Sequence, residues 1–241
     1  MKQYYDFKIE KIKDLSPEEI HLRKKNLELF YQIGFPNKND EDWKFSDLNS
    51  ILSKNFNNIA NNNFLPKEKN FKIIEKFKHN YISLFDGKIV SKDFSYEEKN
   101  KVLIDNFNYK DELIFDNKNP LYILNNALST GGFSLEISKN YKLKKPLIIY
   151  NNFSNSLKET IVNYKNLIIL NENSELNLIN YINNSSRENF MVNTVENIKM
   201  KKDSSLNNIL INNSKCNGYF HKYIKCDLEK NSSLENYLIS S

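Results

Sequence analysis

The chain has 241 residues, 39% hydrophobic, 27% charged and 13% aromatic, a composition that fits one or two domains with a packed interior and excludes a disordered polymer. Its formal charge of +5 comes from 35 basic and 30 acidic residues spread along the whole length, without the concentrated basic stripe of a nucleic-acid reader. Two cysteines, Cys216 and Cys226, are too few for a disulfide framework, and no apolar run nears the roughly 20 residues that cross a bilayer.

Residues 1–15 alternate charged and apolar side chains and offer no signal-peptide hydrophobic region. The expectation is a soluble protein of a reducing, cytoplasmic compartment, with neither nucleic acid nor membrane as partner. Asparagine occurs 41 times, and this abundance, like that of lysine, is discounted as a functional signal because nucleotide bias produces it equally well.

Ser16-Pro17-Glu18-Glu19 is a capping box with proline at the first helical position. Ile20, Leu27, Phe30 and Tyr31 then recur at helical spacing until Gly34 and Pro36 stop the helix. The short basic runs Arg23-Lys24-Lys25 and Lys142 to Lys145 read as solvated faces. A polar, acidic stretch from Asn37 to Asp47 encloses the single tryptophan, Trp43, which reads as a core anchor of the N-terminal part. The asparagine-rich stretch Asn55 to Asn63 reads as a loop or linker. Tyr81 to Phe85 followed by Asp86-Gly87 predicts a strand and a hairpin turn.

From about Phe133 the period becomes two, with Phe133, Leu135 and Ile137 alternating with polar residues and short apolar runs at Leu147 to Tyr150 and Leu167 to Leu170. A turn is then repeated: Asn173-Ser174-Glu175-Leu176, Asp203-Ser204-Ser205-Leu206 and Asn231-Ser232-Ser233-Leu234, at steps of 30 and 28 residues. Each leucine is followed by an apolar pair, Ile179 and Tyr181, Ile209 and Ile211, Tyr237 and Ile239. Strand repeats of this length with no helical pattern between them predict a stacked β-solenoid, with a β-sandwich as the alternative.

Catalytic chemistry is hard to place. The five glycines, Gly34, Gly87, Gly131, Gly132 and Gly218, make neither a phosphate loop nor a dinucleotide fingerprint. His21 and His79 read as surface residues. Cys216, His221 and Cys226 are the one cluster of metal-binding residue types, but gaps of five residues in a strand send successive members to opposite faces. Asp40, Glu41 and Asp42 form a solvated run rather than a facing pair. No catalytic, cofactor-binding or metal residue is therefore assigned, and the protein is not expected to be an enzyme.

Several motifs, in order, resemble the SufD branch of the SufB/SufD family of iron–sulfur cluster assembly proteins. Gly34-Phe35-Pro36 followed by Asp40-Glu41-Asp42-Trp43-Lys44-Phe45-Ser46-Asp47-Leu48 is similar to that branch's N-terminal signature, with Phe45 and Ser46 where Tyr and Thr are usual. Leu84 to Lys88, Leu124-Asn125-Asn126-Ala127 through Gly132, Ile137, Leu143 to Pro146, and Lys165-Asn166-Leu167-Ile168-Ile169-Leu170 follow the branch's pattern, with Lys165 in place of Arg. The sister branch SufB lacks the Trp-Lys signature.

The resemblance implies a mainly β fold: an N-terminal, mainly helical domain with a short strand–turn element over 1–128, then a right-handed parallel β-helix over 129–241. It implies a non-catalytic scaffold that pairs with a SufB-like β-helix subunit and a SufC-like ATPase. The complex, not this chain, would handle the iron–sulfur cluster, and SufC would bind the ATP. Family members carry more β-helix, a histidine-containing segment and a C-terminal helical domain that holds SufC. The expectation is thus that the β-helix is incomplete at Ser241 and the SufC-binding region is missing. Two other readings stand beside this one: a β-solenoid interaction module without an iron–sulfur role, and a β-helix enzyme acting on carbohydrate.

Overall fold

A computed structural model describes residues 9–12, 15–36, 38, 40–44, 48, 52, 58, 59, 72–107, 119–182 and 188–240. They form a mainly β protein, a β-solenoid of about three turns with two α-helices.

Helix α1 (Pro17–Ile33) starts and stops where its sequence dictates. Ser16 accepts from the Glu19 amide at 3.2 Å, the Glu19 carboxylate accepts from the Ser16 amide, and Gly34 at φ 80° closes the helix. Its buried stripe is Arg23, Asn26, Leu27 and Phe30, while Tyr31 is exposed. The reading of Arg23 as a solvated residue is therefore wrong. Its side chain is 1% exposed and donates to the carbonyls of Ala127 and Ser129 at 3.1 and 2.9 Å. Those are the orphan carbonyls at the end of helix α2 (Pro120–Leu128), which a guanidinium fork satisfies. Asn119 caps the start of α2 through the amides of Leu121 and Tyr122. Residues Leu121 to Leu128 are all buried, as befits a helix sandwiched between α1 and a sheet.

Strand β1 (Asn58–Ile59) pairs with β7, so the stretch read as a loop or linker holds a short strand; its other residues lie outside the described ones. Strands β2 (Asn80–Phe85) and β3 (Lys88–Asp93) form the expected hairpin, with Asp86 at φ 49° and Gly87 at φ 81° in its two-residue turn. They are followed by β4 (Val102–Asn106), β5 (Phe133–Ile137), β6 (Leu147–Asn152), β7 (Thr160–Leu170) and β8 (Glu175–Ile182). The last four are β9 (Asn189–Met200), β10 (Ser205–Asn212), β11 (Asn217–Leu228) and β12 (Ser233–Ser240).

Two sheets result. One runs β11-β9-β7-β5-β4 with β1 also on β7; the other runs β12-β10-β8-β6-β2-β3. Pairs between successive turns are parallel, and the steps of 30 and 28 residues recur as the registers Ser205↔Glu175 and Ser205↔Ser233. Strands from before residue 129 belong to both sheets: β2 pairs β6, β3 pairs β2 and β4 pairs β5.

The repeated turn has a physical cause. Asn173, Asp203 and Asn231 adopt φ of 56°, 59° and 57°, a left-handed conformation that Asn and Asp tolerate. The next serine in each copy donates its hydroxyl three residues back, Ser174 to Asn171, Ser204 to Lys201 and Ser232 to Glu229, at 2.6–2.7 Å. Asn140 (φ 58°) precedes them in the stack and accepts from the Asn173 amide at 3.0 Å. Asparagine, discounted as a functional signal, is thus structurally employed at these turns. After each turn Leu176, Leu206 and Leu234 stack in register within the core, and the odd-numbered apolar pairs lie on the opposite face of the sheet.

Candidate functional site

Three regions bear on function: the junction between α2 and the first sheet, the surroundings of Cys216, His221 and Cys226, and the edge formed by β11 and β12.

Most family-like motifs converge on the first of these. Asn125 is buried in α2 and donates to the backbone carbonyls of Tyr164 on β7 and Asn193 on β9, at 3.0 and 2.8 Å. Asn193 returns the contact by donating to the Leu121 carbonyl at 2.9 Å. Beside it Asn126 accepts from the ammonium of Lys165, whose side chain lies beneath the helix with 2% exposure. The Lys165 nitrogen also sits 4.9 Å from the Tyr122 ring and 5.9 Å from the Phe107 ring, so aromatic faces stabilise its charge.

Glycines complete the junction. A Cβ on Gly87 would fall 2.7 Å from the Tyr164 ring, one on Gly131 2.5 Å from the Gly87 carbonyl oxygen, and one on Gly132 against the Lys165 carbonyl. The Gly132 amide donates to the Gly87 carbonyl at 2.7 Å, and the Lys165 amide to the Gly131 carbonyl at 3.2 Å. Three of the five glycines therefore permit close backbone packing between the β2–β3 turn, the segment after α2 and β7. Asking only whether glycines make a nucleotide loop misses this role; the Gly131-Gly132 pair just before a strand was the available signal.

Trp43 ends a short 3-10 turn (Glu41–Trp43) and is half-buried against the cluster around α1 and α2. Its ring centroid lies 5.8 Å from that of His221. The tryptophan is thus a partly covered contact between the N-terminal segment and β11. Phe45, Ser46 and Asp47 of the same signature lie outside the described residues.

His221 Nδ1–H donates to Asn193 Oδ1 at 2.9 Å, and burial pushes the ring's pKa down to about 4. Cys226, five residues on, faces the other way, into the core between the sheets, where burial first and the Glu196 and Asp227 charges next push its thiol up. Cys216 also packs on that core. His221 and Cys226 therefore stand on opposite faces of β11, and no group of three or more metal-ligating side chains occurs among the described residues. His21 is exposed. His79, expected at the surface, is buried: its ring bonds the Tyr150 hydroxyl and the Phe77 carbonyl, each at 2.9 Å. Its odd-looking place in a lysine-rich stretch hid a partner 71 residues away.

At the last turn, β11 pairs with β9 and β12 with β10, which leaves each with one edge unpaired among the described residues. Tyr237, Leu238 and Ile239 on β12 and Leu228 on β11 are exposed, Leu238 by 71%. Unpaired backbone amides and carbonyls next to exposed apolar side chains form a template for another β-structure. No helix of the described residues is long and apolar enough to cross a membrane. No protein-family model matches the chain, and no curated protein matches it either.

Proposed function

We propose that the chain is a non-catalytic, SufD-like scaffold subunit of a cytoplasmic SufBCD-type iron–sulfur cluster assembly complex. The observation that carries this reading is the parallel β-solenoid of about three turns, with the SufD-like motifs in order ahead of it and along its first strands. The coil is right-handed, as parallel crossovers overwhelmingly are. A SufB-like β-helix pairs with the solenoid through its strand edges and flat faces. The SufC-like ATPase docks on a region beyond the β-helix, and the cluster is assembled on the complex with no cofactor held by this chain.

The test is co-expression with the host's SufB-like and SufC-like proteins and recovery through a tag on this chain. Recovery of the SufB-like protein is the expected result. Recovery of neither protein, with the natural reading frame around this chain intact, would overturn the assignment.

A further inference from the structure

Behind the junction between α2 and β7 lies a relay of side-chain amides whose orientations are fixed from one end. Asn26 Nδ2 donates to the Leu22 carbonyl at 2.9 Å, so the opposite atom of that amide, Oδ1, faces Asn126. Asn126 Nδ2 donates to it at 3.4 Å. The Asn126 carbonyl oxygen is thereby the atom left for Lys165, whose ammonium donates to it. A backbone oxygen has no proton to give, which settles each amide in turn.

The pair is shut off from water: Asn126 is 5% exposed and Lys165 2%. The Tyr122 and Phe107 rings flank the lysine nitrogen at 4.9 and 5.9 Å. A primary amine and a carboxamide from positions 39 residues apart are thus enclosed in contact. Under that condition a slow reaction between two groups becomes effectively intramolecular. The buried ammonium is costly even beside aromatic faces, and a neutral amide in its place removes that cost. A dry interior also protects such a bond from hydrolysis.

We propose that Lys165 and Asn126 are a self-modification site, at which Lys165 Nζ displaces the Asn126 amide nitrogen and an isopeptide bond joins β7 to α2. The ammonium proton passes along the existing hydrogen bond to Asn126 Oδ1, which frees the Nζ lone pair and activates Cγ in one transfer. The Nζ–Cγ bond forms and the Cγ–Nδ2 bond breaks. Nδ2 departs as ammonium, carrying its own two hydrogens and two of the three that began on Nζ. No oxidant, reductant or further reactant enters. Asn26 Oδ1, which already accepts from Nδ2, steadies the departing nitrogen.

The test is mass spectrometry of the whole chain, purified folded, incubated and then unfolded. The expected mass is lower than the sequence requires by one ammonia, about 17 Da, with a branched peptide joining Asn126 to Lys165 after proteolysis. Lys165→Arg keeps a permanent charge and supplies no amine nucleophile, so it should show the full mass. The branched peptide of the wild type decides the matter even if that variant fails to fold. A full mass for the wild type after long incubation would overturn the proposal. So would an ammonia loss that persists in Lys165→Arg, because it marks a succinimide at another asparagine, such as Asn217 before Gly218.

Discussion

Replacing Gly132 with alanine probes the junction that joins helix to solenoid. Gly132 has φ of +111°, and an added Cβ would meet the Lys165 carbonyl carbon at 2.5 Å and its amide nitrogen at 2.9 Å, with the oxygen closer still. All three are backbone atoms of β7, which pairs with β5 on one side and β9 on the other and so cannot yield as a flexible side chain would. Relief of such a contact costs about 1–3 kcal/mol in a packed interior. The positive φ adds about 1–2 kcal/mol for a residue with a Cβ. The sum is a loss of about 2–5 kcal/mol, which at a urea slope of about 3 kcal/mol/M lowers the unfolding midpoint by about 1 M. Gly34→Ala supplies the control, since Gly34 has φ of +80° and nothing within 4 Å of its would-be Cβ. It should show the dihedral cost alone, about 1–2 kcal/mol. Urea unfolding followed by circular dichroism measures both. Equal losses for the two variants would refute the idea that the close approach of β7, rather than the dihedral, demands glycine at 132.

Four further outcomes are expected. Arg23→Met keeps the apolar stem but strands the carbonyls of Ala127 and Ser129, and should cost about 2–4 kcal/mol in chemical unfolding; a change under 1 kcal/mol would mean that water satisfies them. Glu97 accepts from Asn80, the Tyr141 hydroxyl and the amides of Lys144 and Lys145 at 2.7–3.2 Å. Burial pushes its carboxyl up, but these four donors outweigh it and hold the carboxyl below the ordinary 4.5. A depressed carboxylate contributes stability above its unfolded pKa and loses it as pH falls through the folded value. The stability gap between wild type and Glu97→Gln should therefore be widest above pH 4.5 and close on acidification; a gap constant from neutral to acid pH would contradict this. Trp43→Ala should cost about 1–3 kcal/mol, less than for a fully buried ring, and should move the ring resonances of His221; unmoved resonances would deny the contact. The β11–β12 edge should make the isolated protein self-associate with rising concentration in sedimentation, and Leu238→Lys should suppress it; a wild-type monomer at all concentrations would count against an adhesive edge.

Local signals in the chain were enough for α1, for the β2–β3 hairpin and for the stacked turns, because each depends on residues a few positions apart. The Ser16–Glu19 box, Asp86-Gly87 and the Asn/Asp-Ser turns carry their own dihedral and hydrogen-bond preferences. The solenoid followed from the 30- and 28-residue steps, since repetition of one local unit is itself visible in sequence. Pairings over long separations were not legible. Arg23 reads as surface until α2 brings two orphan carbonyls to it, and His79 until Tyr150 does; Lys165 is buried because aromatic rings and Asn126 lie above it. Asparagine was discounted because nucleotide bias accounts for its abundance equally well, and its structural meaning depends on stacking: alone it is a polar residue, in register with its copies it is a ladder. The faces of the strands were settled by alternation, which separates His221 from Cys226, but which of the two faces is interior depends on where α2 lies. A polar side chain's burial is decided by the partner that desolvation demands, and only the tertiary structure chooses that partner.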